Sequence, residues 1–133
     1  MRITVDANVI LRLATQDDPD QLRVAESVFR SATLVAVPVA ALCEFVWVLR
    51  QGYKRPRADI AQSLRTLIDV GNVEVDWPAV DAGLAMLDEG GDFADGVIAF
   101  EGQRLGGETF TTFDREAAKL VQRTGREVQL LKS

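Results

Sequence analysis

Residues 3–13 read ITVDANVILRL. The segment opens as a short β-branched, apolar run, meets Asp6 and Asn8, and then returns to apolar residues. The pattern predicts a strand over 3–5 followed at once by a helix from Asn8 to about Ala14 that is apolar on most sides. The acid at the junction has two possible uses. Asp is a good helix N-cap, because its side chain accepts from backbone N–H groups that lack a partner inside the helix. It is also a hard oxygen ligand for a cation.

The same alternation of strand and helix runs through the rest of the chain. Asp18 is placed to cap a second helix, with Pro19 at its first position and its end near Arg30. A continuous apolar strand over 34–37 is closed by Pro38, and a third helix follows over 39–49, ending near Gly52. Tyr53-Lys54-Arg55-Pro56-Arg57 is a basic loop. Ile60, Leu64, Leu67 and Ile68 then recur at helical spacing. A short strand is predicted over 73–75 and a helix over 78–87, which Gly90-Gly91 ends. Next come a helix over 93–105, a strand over 109–113, a helix over 114–123 and a last strand over 128–131. Short apolar strands alternating with helices predict an α/β fold, with a mostly parallel sheet covered on both faces. No repeat, low-complexity segment or linker interrupts it, so residues 1–133 are expected to form one domain. Ligands of such sheets bind beyond the carboxyl ends of the strands, and the residues just after each strand are the ones to inspect.

Composition narrows the chemistry. No apolar run is long enough to span a membrane, and Asp6, Asn8 and Arg12 interrupt what would be a secretory signal. One cysteine, Cys43, leaves no internal disulfide and fits a reducing cytoplasm. The chain has no histidine, which excludes Ser-His and Cys-His catalysis and histidine-based zinc sites. The formal charge of −5 is not that of a default nucleic-acid binder. Acid–base or metal chemistry must therefore come mainly from carboxylates.

Two acids follow predicted strands, Asp6 and Asp114, and N-capping alone accounts for either. Glu44 is different. It is the one strongly polar residue over 39–49, in a helix apolar enough to be buried nearly all round. A carboxylate there is costly unless it is paired, protonated or bound to a cation; the structural alternative is a salt bridge to an arginine. In GGDFADGVIAFEGQRLG, Asp92 is in the better N-cap position and Asp95 falls in the first helical turn, where the macrodipole favours acids anyway. Gathered at one sheet edge, Asp6, Glu44, Asp95 and Asp114 would repel, at about 4 kcal/mol per pair ~4 Å apart with a surface-like dielectric. A divalent cation relieves this, and all-oxygen ligands favour Mg²⁺ or Mn²⁺. Such a site supports phosphodiester hydrolysis. Setting those four acids aside leaves the chain nearly neutral. Lys54, Arg55 and Arg57, together with Arg12, Arg104 and Arg115 expected near the site, are candidates for holding phosphates or are simply solvated surface.

DANVILRL, Glu44 in an apolar helix, DFADGVIA and TTFDREA resemble the PIN-domain ribonucleases. They are most similar to the toxin subunits of bacterial type II toxin–antitoxin pairs, the VapC kind. The resemblance covers almost the whole chain, and the motifs come in the family's order. It implies a three-layer α/β/α fold, Mg²⁺-dependent cleavage of RNA, a homodimer, and a small antitoxin that blocks the acidic pocket. Position by position, the acidic quartet falls on Asp6, Glu44, Asp95 and Asp114. Asn8 matches a polar residue two after the first acid and Thr112 a hydroxyl two before the last; with Arg115 these are the expected substrate-positioning residues. Asp92 has no firm counterpart. Gly96 stands where the family more often has Ala, an exchange expected to loosen its helix. Asp6 is thus expected both to cap its helix and to bind metal.

Two rival readings remain. A catalytically silent PIN-like binding module would share the fold, though the intact quartet speaks against it. A receiver-type signalling domain also binds Mg²⁺ through acids. It needs an acceptor Asp after a central strand and a Lys after a later one, whereas 34–37 ends in Pro38 and no Lys directly follows TFTTF.

Overall fold

Asp6 does separate a strand from a helix. In the computed structural model, which describes residues 1–133, β1 spans Arg2–Thr4 and α1 spans Ala7–Ala14. Asp6 has an extended backbone, and its side chain accepts from the Val9 N–H at 3.2 Å. Asp18 repeats the device for α2, Pro19–Ser31, accepting from the Gln21 N–H with Pro19 in the first turn. β2 spans Leu34–Ala36 and α3 Val39–Gln51; α4 covers Arg57–Ile68 and β3 Val73–Glu74. The second half holds α5, Trp77–Asp88, α6, Phe93–Arg104, β4, Thr109–Thr112, α7, Arg115–Arg123, and β5, Glu127–Leu130. Predicted and observed ends differ by one or two residues, as fraying termini do.

The chain forms two compact units, Met1–Asp76 and Trp77–Ser133. In the first, β1, β2 and β3 make a parallel sheet in that order, with Ile3 opposite Val35 and Val35 opposite Val73. Val35 is wholly buried, as are Leu42, Leu49, Ile60 and Leu64. α1 packs against α2 and α3, and α3 against α4. The Asn72 side chain donates to the carbonyls of Phe29 and Ala32 at 2.8 and 3.0 Å. It thereby ties the chain entering β3 to the end of α2.

The expectation that α3 is buried nearly all round is overturned. Leu42, Phe45, Val46 and Leu49 are buried, but Ala40, Glu44, Trp47 and Gln51 form an exposed stripe. Those four recur at the spacing of one helical face. Composition hid the stripe because two of its members, Ala40 and Trp47, are apolar.

In the second unit β4 and β5 pair in parallel, with Phe110 opposite Val128. Both lie against a core of Met86, Ala99, Leu120 and Val121. α5 and α6 approach so closely that glycine is required at their contact. A Cβ on Gly96 would stand 2.3 Å from the Ala82 carbonyl oxygen, and one on Gly83 would stand 2.5 Å from the Phe93 ring. Gly96 therefore does not loosen α6, contrary to the reading from the sequence. It permits the helix pair to close.

Gly96→Ala should cost about 1–3 kcal/mol, because the obstacle is backbone and cannot rotate away. Gly102, in the same helix, has nothing within 4 Å of its would-be Cβ. Gly102→Ala should instead be neutral or stabilising by up to about 1 kcal/mol. Urea unfolding of the two variants checks both; equal effects would refute the close-approach argument.

Candidate active site

The acids of the first unit meet at one surface. Asp6 and Glu44 both line an open cleft of about 660 Å³, between the end of β1 and the first turns of α3. Glu44 is exposed, so the burial argument that singled it out fails; its claim rests on sharing this cleft with Asp6. Asn8 is exposed and lines an adjoining groove that Asp6 and Arg12 also border. Arg12 is not a free cation awaiting a phosphate. Its guanidinium pairs with Asp17 at 3.1 Å, and the Tyr53 hydroxyl donates to the other Asp17 oxygen at 2.7 Å. That hydroxyl is the main reason the Asp17 carboxyl is held below its ordinary pKa, with Arg12 adding to the effect. Arg55 lies 5.7 Å from the Tyr53 ring centre, so part of the basic loop is also engaged in structure.

The acids of the second unit are positioned by helix caps. Asp114 precedes α7, and its Oδ1 accepts from the N–H groups of Glu116 and Ala117 at 2.9 and 3.1 Å. Its own N–H donates to Thr112 Oγ1 at 3.0 Å, so Thr112 fixes the backbone that carries the acid. Asp92 caps α6, with Oδ1 accepting from Ala94 N–H at 3.2 Å. At Asp6, too, Oδ1 is the capping atom. At all three positions the cap employs one carboxylate oxygen and leaves Oδ2 out, so capping and cation binding do not compete for the same atom.

Asp95 stands in the first turn of α6 and is half-buried. Burial raises its carboxyl above the ordinary value, and the charges of Asp92 and Asp114 raise it further. The carboxylates of this unit therefore act on one another. Asp92 contributes more to that shift than Asp114 does. The signal for it was in the sequence, since Asp92 and Asp95 are three apart and share a helix side. Arg115 is exposed in the first turn of α7, beside Asp114. Arg104 lies at the other end of α6 from Asp95, about 13 Å along the axis at 1.5 Å per residue, with its guanidinium 5.4 Å from the Phe100 ring centre. The expectation that Arg104 lies near the acid is not met.

No group of three or more Asp, Glu or Cys side chains is close enough to hold a metal ion as it stands. The donor chemistry nonetheless fits one: every candidate is a hard oxygen, and the charges of Asp92 and Asp114 that oppose ionisation of Asp95 are ones a cation would offset.

The family model for the PIN domain matches residues 3–122. This chain belongs to the PIN domain family. Seven helices and all-parallel strand pairs agree with the three-layer α/β/α fold of PIN domains. PIN domains are generally metal-dependent nucleases, and usually bind a divalent ion. A search of curated proteins finds no match. No helix of this PIN domain is long and apolar enough to cross a membrane.

The raised Asp95 carboxyl has a stability consequence. Between the ordinary Asp value of 3.8 and its higher folded value, the native state binds more protons than the unfolded chain. Stability contributed by this group therefore falls as pH rises through that window. Asp95→Asn should melt higher than wild type at pH 7 without divalent ions, and the gain should vanish below pH 3.8. Thermal unfolding followed by circular dichroism checks this. A variant that melts lower at neutral pH would remove the case for repulsion.

Proposed function

We propose that this PIN domain is a divalent-cation-dependent endoribonuclease and the toxin subunit of a toxin–antitoxin pair. Asp6, Glu44, Asp95 and Asp114 are its proposed catalytic and metal-binding residues, with Mg²⁺ as the ion and Mn²⁺ as a substitute. The observation that carries the reading is the match of the PIN family model to residues 3–122, and Asp95 adds to it: burial first, and then the charges of Asp92 and Asp114, raise its carboxyl at the start of a helix. Such crowding is costly in a surface with no task, and perturbed carboxylates concentrate at functional sites.

When bound, the ion supplies electrostatic stabilisation of the charge that builds on the scissile phosphoryl group. The chain's own part is positional. Asp6 and Asp114 hold their carboxylates through backbone bonds that leave one oxygen free for the ion. Asp95 is braced by the contact of α6 with α5. Glu44, exposed at the cleft, accepts hydrogen bonds from the attacking water and orients it. Asn8, Thr112 and Arg115 position the strand, Thr112 indirectly through Asp114. In the hydrolysis, the water oxygen bonds to phosphorus, one P–O bond breaks, and a proton from the water ends on the departing ribose oxygen, giving one phosphomonoester end and one hydroxyl end.

The proposal extends to partners. A small antitoxin would place an arginine or a bulky side chain against the acids, satisfying them as a cation does. Its inhibitory segment would be disordered alone and fold on binding. The active form would be a homodimer working in the cytoplasm.

Purified protein should cleave single-stranded RNA with Mg²⁺ or Mn²⁺ and stop in EDTA; cleavage that persists unchanged in EDTA would eliminate the metal mechanism. Glu44→Gln and Asp95→Asn should each lower the rate about 100-fold or more. Because Glu44 is exposed, Glu44→Gln should change stability by no more than about 0.5 kcal/mol. Asp92→Asn should keep much of the activity, since Asn caps about as well as Asp. If Asp92→Asn proves the more damaging of the two in α6, their roles are exchanged. Co-expression with the adjacent reading frame tests the toxin role: unrelieved growth arrest with no co-purifying partner would overturn it. Absence of cleavage under all metal conditions would favour the silent binding module.

A further inference from the structure

Trp47 is 61% exposed, and exposure of so large an aromatic surface calls for an account. It lies three residues after Glu44, so the two side chains sit on the same side of α3, with Cβ atoms about 5–6 Å apart. Glu44 in turn lines the cleft that holds Asp6. The rest of the exposed stripe is Ala40 and Gln51, one small and one polar. The exposed side of α3 thus carries one large flat aromatic, one helical turn from the carboxylate that lines the cleft. A flat π-face of this size matches a nucleobase, which stacks on aromatics whatever its sequence. Beyond Trp47, in the loop that ends α3, exposed Lys54 offers a cation for a more distant phosphate.

We propose that Trp47 is the stacking platform for the base of a nucleotide flanking the scissile phosphate, so that single-stranded RNA runs along the exposed face of α3 from the Asp6–Glu44 cleft. The proposal rests on the nuclease reading and adds to it a binding residue. Unpaired bases can lie on the indole face, whereas bases inside a duplex keep their own stacking partners. Single-stranded RNA is therefore the favoured substrate.

The chain has two tryptophans, so Trp77→Phe leaves Trp47 as the sole indole reporter. In a Trp77→Phe, Asp95→Asn protein, which the nuclease reading makes inactive, titration with a uridine-rich single-stranded RNA dodecamer should quench Trp47 fluorescence saturably. Trp47→Ala should weaken binding of the same RNA about 10- to 100-fold, read by fluorescence anisotropy of labelled RNA. Trp47→Phe should restore most of the affinity. In the otherwise wild-type enzyme, Trp47→Ala should raise KM and leave kcat nearly unchanged. RNA that is bound and cleaved with the same affinity and KM after Trp47→Ala would overturn the platform and leave the nuclease reading intact. Quenching by RNA without cleavage by the wild-type protein would support the platform and sink the nuclease reading. If Trp47→Ala splits a dimer, seen by light scattering, and leaves RNA affinity unchanged, the face belongs to a second copy of the chain and the platform is overturned.

Discussion

The backbone N–H groups at the start of a helix need acceptors, and the placement of the acids follows from that need. Asp6, Asp92 and Asp114 each meet it with Oδ1. Each side chain is therefore held by the backbone it caps rather than left to a mobile rotamer. Precision of this kind is what a site for a cation and a phosphodiester requires. It comes at little cost, because the helix gains a cap from the same atoms. The acid in residues 3–13 caps its helix with one oxygen, and the cation binding proposed for it would use the other, so the two uses are compatible atom by atom.

Asp95 shows the opposite balance. It makes no cap, it is half-buried, and two neighbouring carboxylates oppose its ionisation. Local stability and the proposed function conflict there, at one residue rather than over the whole surface. Proteins commonly depart from local consistency at their working residues. The absence of histidine sharpens this, since the proposed chemistry would leave carboxylates to do both binding and proton management.

The order of elements was legible from the sequence because punctuation and periodicity agreed: Asp18-Pro19, Pro38 and Gly90-Gly91 each sit at a boundary. The Asp92 cap was legible for the same reason. Hydropathy failed at α3, where it cannot tell an alanine or a tryptophan facing water from one facing a core. The reading of Glu44 as buried failed with it. Arg12 was read as a phosphate candidate or as solvated surface, whereas it pairs with Asp17, which also accepts from Tyr53, 36 residues further on, a contact no local pattern displays. Gly96 was misread for the same kind of reason. Its need for glycine is set by the Ala82 carbonyl on a different helix, and a propensity scale sees only the cost of glycine within its own.

That carbonyl also limits the mutational routes open to the protein. A clash with a side chain can be relieved by shrinking the side chain, so two changes can follow one another in either order. Here the obstructing atom belongs to the main chain at Ala82, and no substitution at that position removes it. A lineage that has let α5 and α6 come this close has entrenched Gly96. Exchange for alanine would be open only once the helices had moved apart, and Asp95, one residue away, would move with them.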